Sequence, residues 1–178
     1  MPQALIPHPD SRPPANLRIE ALAVREATGL VSLRYALIGD IAGIRVPERA
    51  AAARTDGLWR RTCFEAFLRP SGGEAYYELN LSPSTEWAAY RFDRYRDGMT
   101  PLEIATPRIE TAAGAGRLAL SALVALDLPP GAMRLGLTAV VEAADGSVSY
   151  WALAHPPGKP DFHHPDCLAL DIPPMGHS

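Results

Sequence analysis

From Leu17 onward the chain is cut into short runs of about ten residues, with turn-forming residues between nearly all of them. The runs are LRIEALAVR, VSLRYALIG, TCFEAFLRP, EAYYELNLSP, STEWAAYRFD, LEIATPRIET, GRLALSALVAL, MRLGLTAVVEA and SVSYWALAH. Separators such as SGG, SPS, DGMTP, AGAG, PPG and ADG end each run, because Gly, Pro, Asn and Asp favour turn geometries that regular ladders do not continue through. No run sustains a 3.6-residue period long enough for a helix. This punctuation predicts an all-β fold, an antiparallel sandwich or barrel of about nine or ten strands. WAAYRFDRYRDG is the ambiguous stretch, since Trp87, Tyr90 and Arg94 also fit helical spacing.

Pro2, Pro7, Pro9, Pro13 and Pro14 mark residues 1–16 as an extended lead-in. Residues 17–172 then form one domain and 173–178 a tail. Thr28-Gly29 reads as the turn of a first hairpin, and the alanine run 50–53 as one helical turn inside a long connection over 40–58. With 178 residues the chain can bury one sizeable core. Its 47% hydrophobic and 21% charged content is that of a globular protein. A net charge of −3 offers no concentrated basic face, so a nucleic-acid partner is not expected. No segment approaches the uninterrupted apolar length of a membrane-spanning helix, so no membrane partner is expected either. Two cysteines and an N-terminus lacking a basic-then-apolar leader favour the cytoplasm.

The segment TCFEAFLRPSGGEAYYELNLS, residues 62–82, separates its two faces. Alternation puts Phe64, Ala66 and Leu68 on one side, and Tyr77, Leu79 and Leu81 must join them. Paired positions are therefore one even and one odd, for example Phe64 with Leu79 and Glu65 with Glu78. The opposite face carries Glu65, Glu78 and Asn80 among Phe67 and Tyr76. Like charges directly opposed destabilise a sheet unless an arginine, a proton or a polar ligand relieves them. This face is either a solvated exterior or a polar site framed by flat apolar surface, which is what a sugar requires.

Trp87, among the aromatics of residues 82–99, is the candidate for an exposed stacking platform, while Phe92 and Tyr95 read as core. YWALAHPPGKPDFHHPDC, residues 150–167, holds three of the five histidines and Cys167. The spacing H-x7-HH-x2-C matches no structural zinc pattern, and Cys167 has no helix N-terminus to activate its thiol. Pro156, Pro157, Pro160 and Pro165 instead stiffen a loop bearing Lys159, Asp161 and His163. A pre-ordered polar loop suits recognition, because little entropy is lost on binding. This basic loop is expected to lean on the acidic hairpin, with Lys159 or His163 near Glu65 and Glu78.

Together LWRxTCFEAF (58–67), YYELNLSPSxEWAAY (76–90), YRDGM (95–99) and YWALAHPxGKPDFHH (150–164) resemble the bacterial DOMON-like proteins, relatives of the family 9 carbohydrate-binding modules. The resemblance spans about Leu17 to Ile172. It implies an immunoglobulin-like (DOMON-type) β-sandwich whose relatives bind sugars or haem. For a sugar it implies stacking on Trp59, with Trp151 or Trp87 as second platform, and Glu65 on the hydroxyls. For haem it implies Met99 with His163, or His155 in its place.

The expected function is thus a non-enzymatic, carbohydrate-binding module without a resident cofactor. Trp59, Trp87 and Trp151 would stack; Glu65, Glu78, Asn80, Lys159, Asp161 and His163 would supply polar contacts. A haem-binding redox module and a glycan-active enzyme using Glu65 and Glu78 are the alternatives. In the purely structural reading Trp151 is core, His163 bonds a backbone carbonyl, and Glu65 pairs with Arg61 or Arg91.

Overall fold

In the computed structural model, residues 1–26 and 29–174 are described. Thr28 of the first turn and residues 175–178 of the tail lie outside them. Among the described residues there are twelve strands: β1 Gln3–Pro7, β2 Arg18–Arg25, β3 Leu30–Ile38, β4 Cys63–Pro70, β5 Tyr76–Leu81, β6 Trp87–Phe92, β7 Thr100–Pro101, β8 Arg108–Gly114, β9 Arg117–Ala125, β10 Met133–Glu142, β11 Val148–Ala152 and β12 Leu170–Ile172. All named pairs are antiparallel, and the sheet runs β7-β6-β5-β4-β10-β11-β1-β2-β3-β9-β8. β12 continues the edge of β10 where β11 ends, pairing Leu170–Ile172 with Leu135–Met133.

The fold is all-β, as the punctuation predicts, but the sheet has more strands than expected because β1, β7 and β12 are short. Residues 3–7, read as a lead-in, are instead the strand that joins the two halves of the sheet. Gln3–Leu5 pair with β2, while Ile6 and Pro7 pair with Ala152 and Trp151 of β11. Pro7 fits at the strand's last position, where a missing N–H costs least. The alanine run 50–53 forms no helical turn. It lies extended, with Ala50 N–H donating to Ser84 and Ala53 carbonyl accepting from Trp87 N–H. WAAYRF resolves as strand, not helix.

The sheet curls until its halves face one another over a common core, in a sandwich-like arrangement. Ile19, Leu33, Leu37, Leu118 and Leu120 come from one half, and Phe64, Leu68, Leu79, Leu135 and Leu137 from the other. Tyr35 ties the two together: its ring stacks on Phe64 at 4.9 Å and its hydroxyl donates to the Glu65 carbonyl at 2.6 Å. Alternation then turns the next residues of β4, β5, β6 and β10 to the far face of the second half. That face is covered too, by the loop between β11 and β12. The loop can settle there because β10 carries Gly136, whose Cβ would lie 3.0 Å from the Cys167 carbonyl oxygen. A second cluster of Phe67, Tyr76, Tyr90, Phe92, Phe162 and Leu168 forms under it.

Candidate functional site

Between this covered face and the loop lies a cavity of about 830 Å³. Three register rows run beneath it, of which Glu65, Glu78, Tyr90 and Phe92 line its floor. Thr138, Glu65, Asn80 and Ala88 line up across β10, β4, β5 and β6; Phe67, Glu78 and Tyr90 form the next row; Tyr76 and Phe92 the third. The parity of the hairpin pairing is as expected, but the register differs by two residues. Phe64 faces Leu81 and Glu65 faces Asn80, so Glu78 lies opposite Phe67 and diagonal to Glu65. The direct glutamate opposition is thereby avoided.

Both carboxyls are nevertheless buried, Glu65 at 3% and Glu78 at 6% exposure. Burial disfavours the charged form. It raises the Glu65 carboxyl well above its ordinary value, with repulsion from Glu78 adding to the rise. Burial also raises Glu78 to about 7, against the opposing pull of an Asn80 hydrogen bond and the Arg96 charge. Asn80 donates to Glu78 Oε1 at 2.9 Å. Oε1 of Glu65 and Oδ1 of Asn80 are buried without a hydrogen-bond partner.

His163 reaches the floor from the loop, its Nε2 3.7 Å from Glu78 Oε2. Its ring sits edge-on to Phe92, Phe67 and Tyr76. The Tyr76 hydroxyl accepts from the Arg96 backbone N–H at 3.2 Å and shares a hydrogen bond of 2.8 Å with His163 Nδ1. Burial, aided by the Arg96 charge, lowers the imidazole to about 4 and so keeps the ring neutral. The contact with Glu78 is thus within ion-pair range without being an ion pair.

Asp161 braces the loop. It accepts from Arg96 at 2.7 and 3.2 Å, from the Tyr95 hydroxyl, and from the His163 N–H at 3.1 Å. Burial alone would raise its carboxyl, but these bonds outweigh it and hold it below the ordinary value. Arg96 has φ +53, a left-handed conformation that aims its N–H at Tyr76 and its guanidinium at Asp161.

Of the residues singled out in the sequence, Trp59, Glu65, Glu78, Lys159, His163 and Met99 line the cavity together. Trp59 stands at the mouth, 50% exposed, on a one-turn 3-10 helix entered through Gly57 at φ +76, with Arg60 over its ring at 5.2 Å. Asn80 lies behind Glu78 and Asp161 within the loop brace, so neither lines the cavity. Trp87 is not the exposed platform expected. It is buried in the main core, with the Arg54 guanidinium 4.7 Å from its ring. Trp151 is core as well, its indole N–H donating to Ser149 at 2.9 Å. His163 bonds Tyr76 and not a backbone carbonyl, and Arg91 pairs with Asp93 and not with Glu65.

The sequence reading missed Tyr90, Phe92, Tyr150, Phe162, Arg96 and Asp56, which also line the cavity. Tyr90 and Phe92 follow from the register once Glu78 is taken as facing the site; the others arrive from loops and β11. Among the described residues no group of His, Cys, Asp and Glu has the arrangement of a metal site. Burial, with the nearby aspartates, pushes the Cys167 thiol up to about 12, which leaves it unreactive.

Haem does not fit these residues. Nδ1 of His163 is held by Tyr76, its Nε2 faces the Glu78 carboxyl at 3.7 Å, and Met99 is 59% exposed at the mouth. His155 points away, with its Nε2 on the Ile6 carbonyl at 2.9 Å.

No protein-family model matches the chain, and no curated protein matches it. Among solved structures it is similar to a "putative carbohydrate-binding protein" from Bacteroides uniformis, with a TM-score of 0.70 at 14% sequence identity. The likeness covers 94% of this chain and 83% of that one. At this identity it is a likeness of fold.

Proposed function

We propose that the chain is a DOMON-type, immunoglobulin-like carbohydrate-binding module, and that the cavity between β4–β6 and the 154–169 loop is its sugar site. One observation carries the reading: two buried carboxyls, one with an unpartnered oxygen, on the floor of an aromatic-lined cavity of about 830 Å³. Sugars present apolar faces that stack on aromatic rings and hydroxyls that donate to fixed acceptors. Trp59 offers the exposed ring, Glu65 and Glu78 the acceptors, and Lys159 and His163 the donors. The fold likeness to a "putative carbohydrate-binding protein" supports the same reading. Two buried free cysteines suit the reducing cytoplasm that belongs to this proposal.

A titration against a panel of mono- and oligosaccharides, followed by tryptophan fluorescence, tests it. A saturable change that Trp59→Ala abolishes is expected. The absence of any response at millimolar sugar would refute it.

The Glu78 carboxyl, raised to about 7 and lying diagonal to the buried Glu65, also favours a second reading, a glycan-active enzyme, since acid–base catalysis needs a proton affinity near working pH. Incubation decides between the two. A module returns every bound sugar unchanged, whereas an enzyme yields a product that Glu65→Gln no longer makes.

A further inference from the structure

The floor of the cavity holds two buried carboxyls for whose ionised form the protein supplies no ion-pair partner. Among the described residues no lysine or arginine forms an ion pair with Glu65 or Glu78. The Arg96 guanidinium is held by two bonds on Asp161, and the imidazole beside Glu78 is kept neutral by its burial. Oε1 of Glu65, in a residue only 3% exposed, makes no hydrogen bond, the Thr138 hydroxyl across the ladder being the side-chain donor that neighbours this carboxyl. Buried carboxyls without a counter-charge are costly, and a hydrophobic pair would serve packing better. Tyr90 and Phe92 flank Glu78 on the floor, and Trp59, Tyr150 and Phe162 line the cavity with them. Aromatic faces attract cations through their quadrupole, more strongly when water is excluded. Acceptors without donors and aromatic walls both call for the same group, a cation that also donates hydrogen bonds.

We propose that the ligand is an amino sugar, whose protonated amine sits between Glu65 and Glu78 while its ring lies against the aromatic wall and Trp59. This rests on the carbohydrate reading and names the sugar class within it. The ammonium donates to Glu65 Oε1 and favours the ionised form of a pair that burial otherwise keeps protonated. The sugar's ring hydroxyls face Lys159 and His163. An N-acetylated sugar has no cation to offer, and a neutral hexose carries a hydroxyl in the amine's place.

Calorimetry on the full chain with glucosamine, galactosamine and short β-1,4-linked glucosamine oligomers, each beside its N-acetylated and neutral counterpart, is the test. The amine forms are expected to bind at least about tenfold more tightly, as for other desolvated charge pairs. Glu65→Gln and Glu78→Gln should each remove most of the preference for the amine over the neutral form of the same sugar, whatever they do to neutral-sugar affinity. Because the comparison among sugars uses the unaltered protein, it holds even if a variant folds poorly. Equal or tighter binding of the N-acetylated or neutral sugars overturns the amine assignment and leaves the carbohydrate reading standing. If no sugar of any kind binds at about 10 mM, both fail.

Discussion

At the residue scale, the proton on the cavity floor belongs to a carboxyl and not to the imidazole beside it. Glu78 keeps its proton up to about pH 7, whereas the ordinary carboxyl value is 4.5. His163 stays neutral down to about 4, against an ordinary 6.5. Between 4.5 and 7 the folded state therefore holds one more proton at Glu78 than the unfolded chain, so this residue's contribution to stability falls as pH rises. Between 4 and 6.5 the unfolded chain holds one more at His163, so that contribution rises with pH. The two slopes oppose each other over the shared window. Glu78→Gln removes one falling slope, so relative to the unaltered protein the variant's stability should gain on the order of 3 kcal/mol more between pH 4.5 and 7. His163→Gln removes the rising slope, so relative to the unaltered protein the variant's stability should lose a similar amount between pH 4 and 6.5. Urea unfolding at a series of pH values measures both. The tryptophans divide in the same experiment. Trp87→Ala should lose roughly 3–5 kcal/mol as a core truncation, and Trp59→Ala less than about 1 kcal/mol.

At the scale of elements, the site is a strand face closed by a loop, and Asp161 is what holds the loop in place. Asp161→Ala removes its bonds to Arg96, Tyr95 and the His163 N–H together. Faster amide exchange confined to the 161–168 segment is expected, with the β4 and β10 amides unchanged, and ligand affinity should drop. Exchange that spread through the sheet would show the loop to be part of the global unfolding unit. The same element shows what could be read in the sequence. Alternation in CFEAFL and YYELNL fixed which residues of β4 and β5 share a face, and so brought Glu65 and Glu78 together. It could not fix the register, because a shift of two residues preserves every face. The longer turn through Ser71–Ala75 sets that shift. Trp87 was misplaced for a related reason. β6 is buried on both faces, so alternation there separates two interiors and not inside from outside.

At the scale of the molecule, the N-terminal strand closes the structure that the site depends on. β1 spans from β2 to β11, and His8 N–H donates to the Tyr150 carbonyl at 2.7 Å just beyond it. Tyr150 in turn lines the cavity. Removing residues 1–8 leaves two unpaired edges and loosens β11. A lower Tm with concentration-dependent association, read by light scattering, is expected. Five prolines in the first sixteen residues concealed this strand, since composition alone describes them as a linker. The curled all-β class was legible from turn spacing; the cavity was not, because it is made where separate segments meet. The indole N–H signals of Trp59, Trp87 and Trp151 test the sugar site most directly, recorded by two-dimensional nitrogen–proton NMR during titration with the sugar panel. Trp59 at the mouth should shift in a saturable way while Trp87 and Trp151, both in the core, stay fixed. Saturable shifts at Trp87 or Trp151 with Trp59 unmoved would contradict this assignment of the cavity.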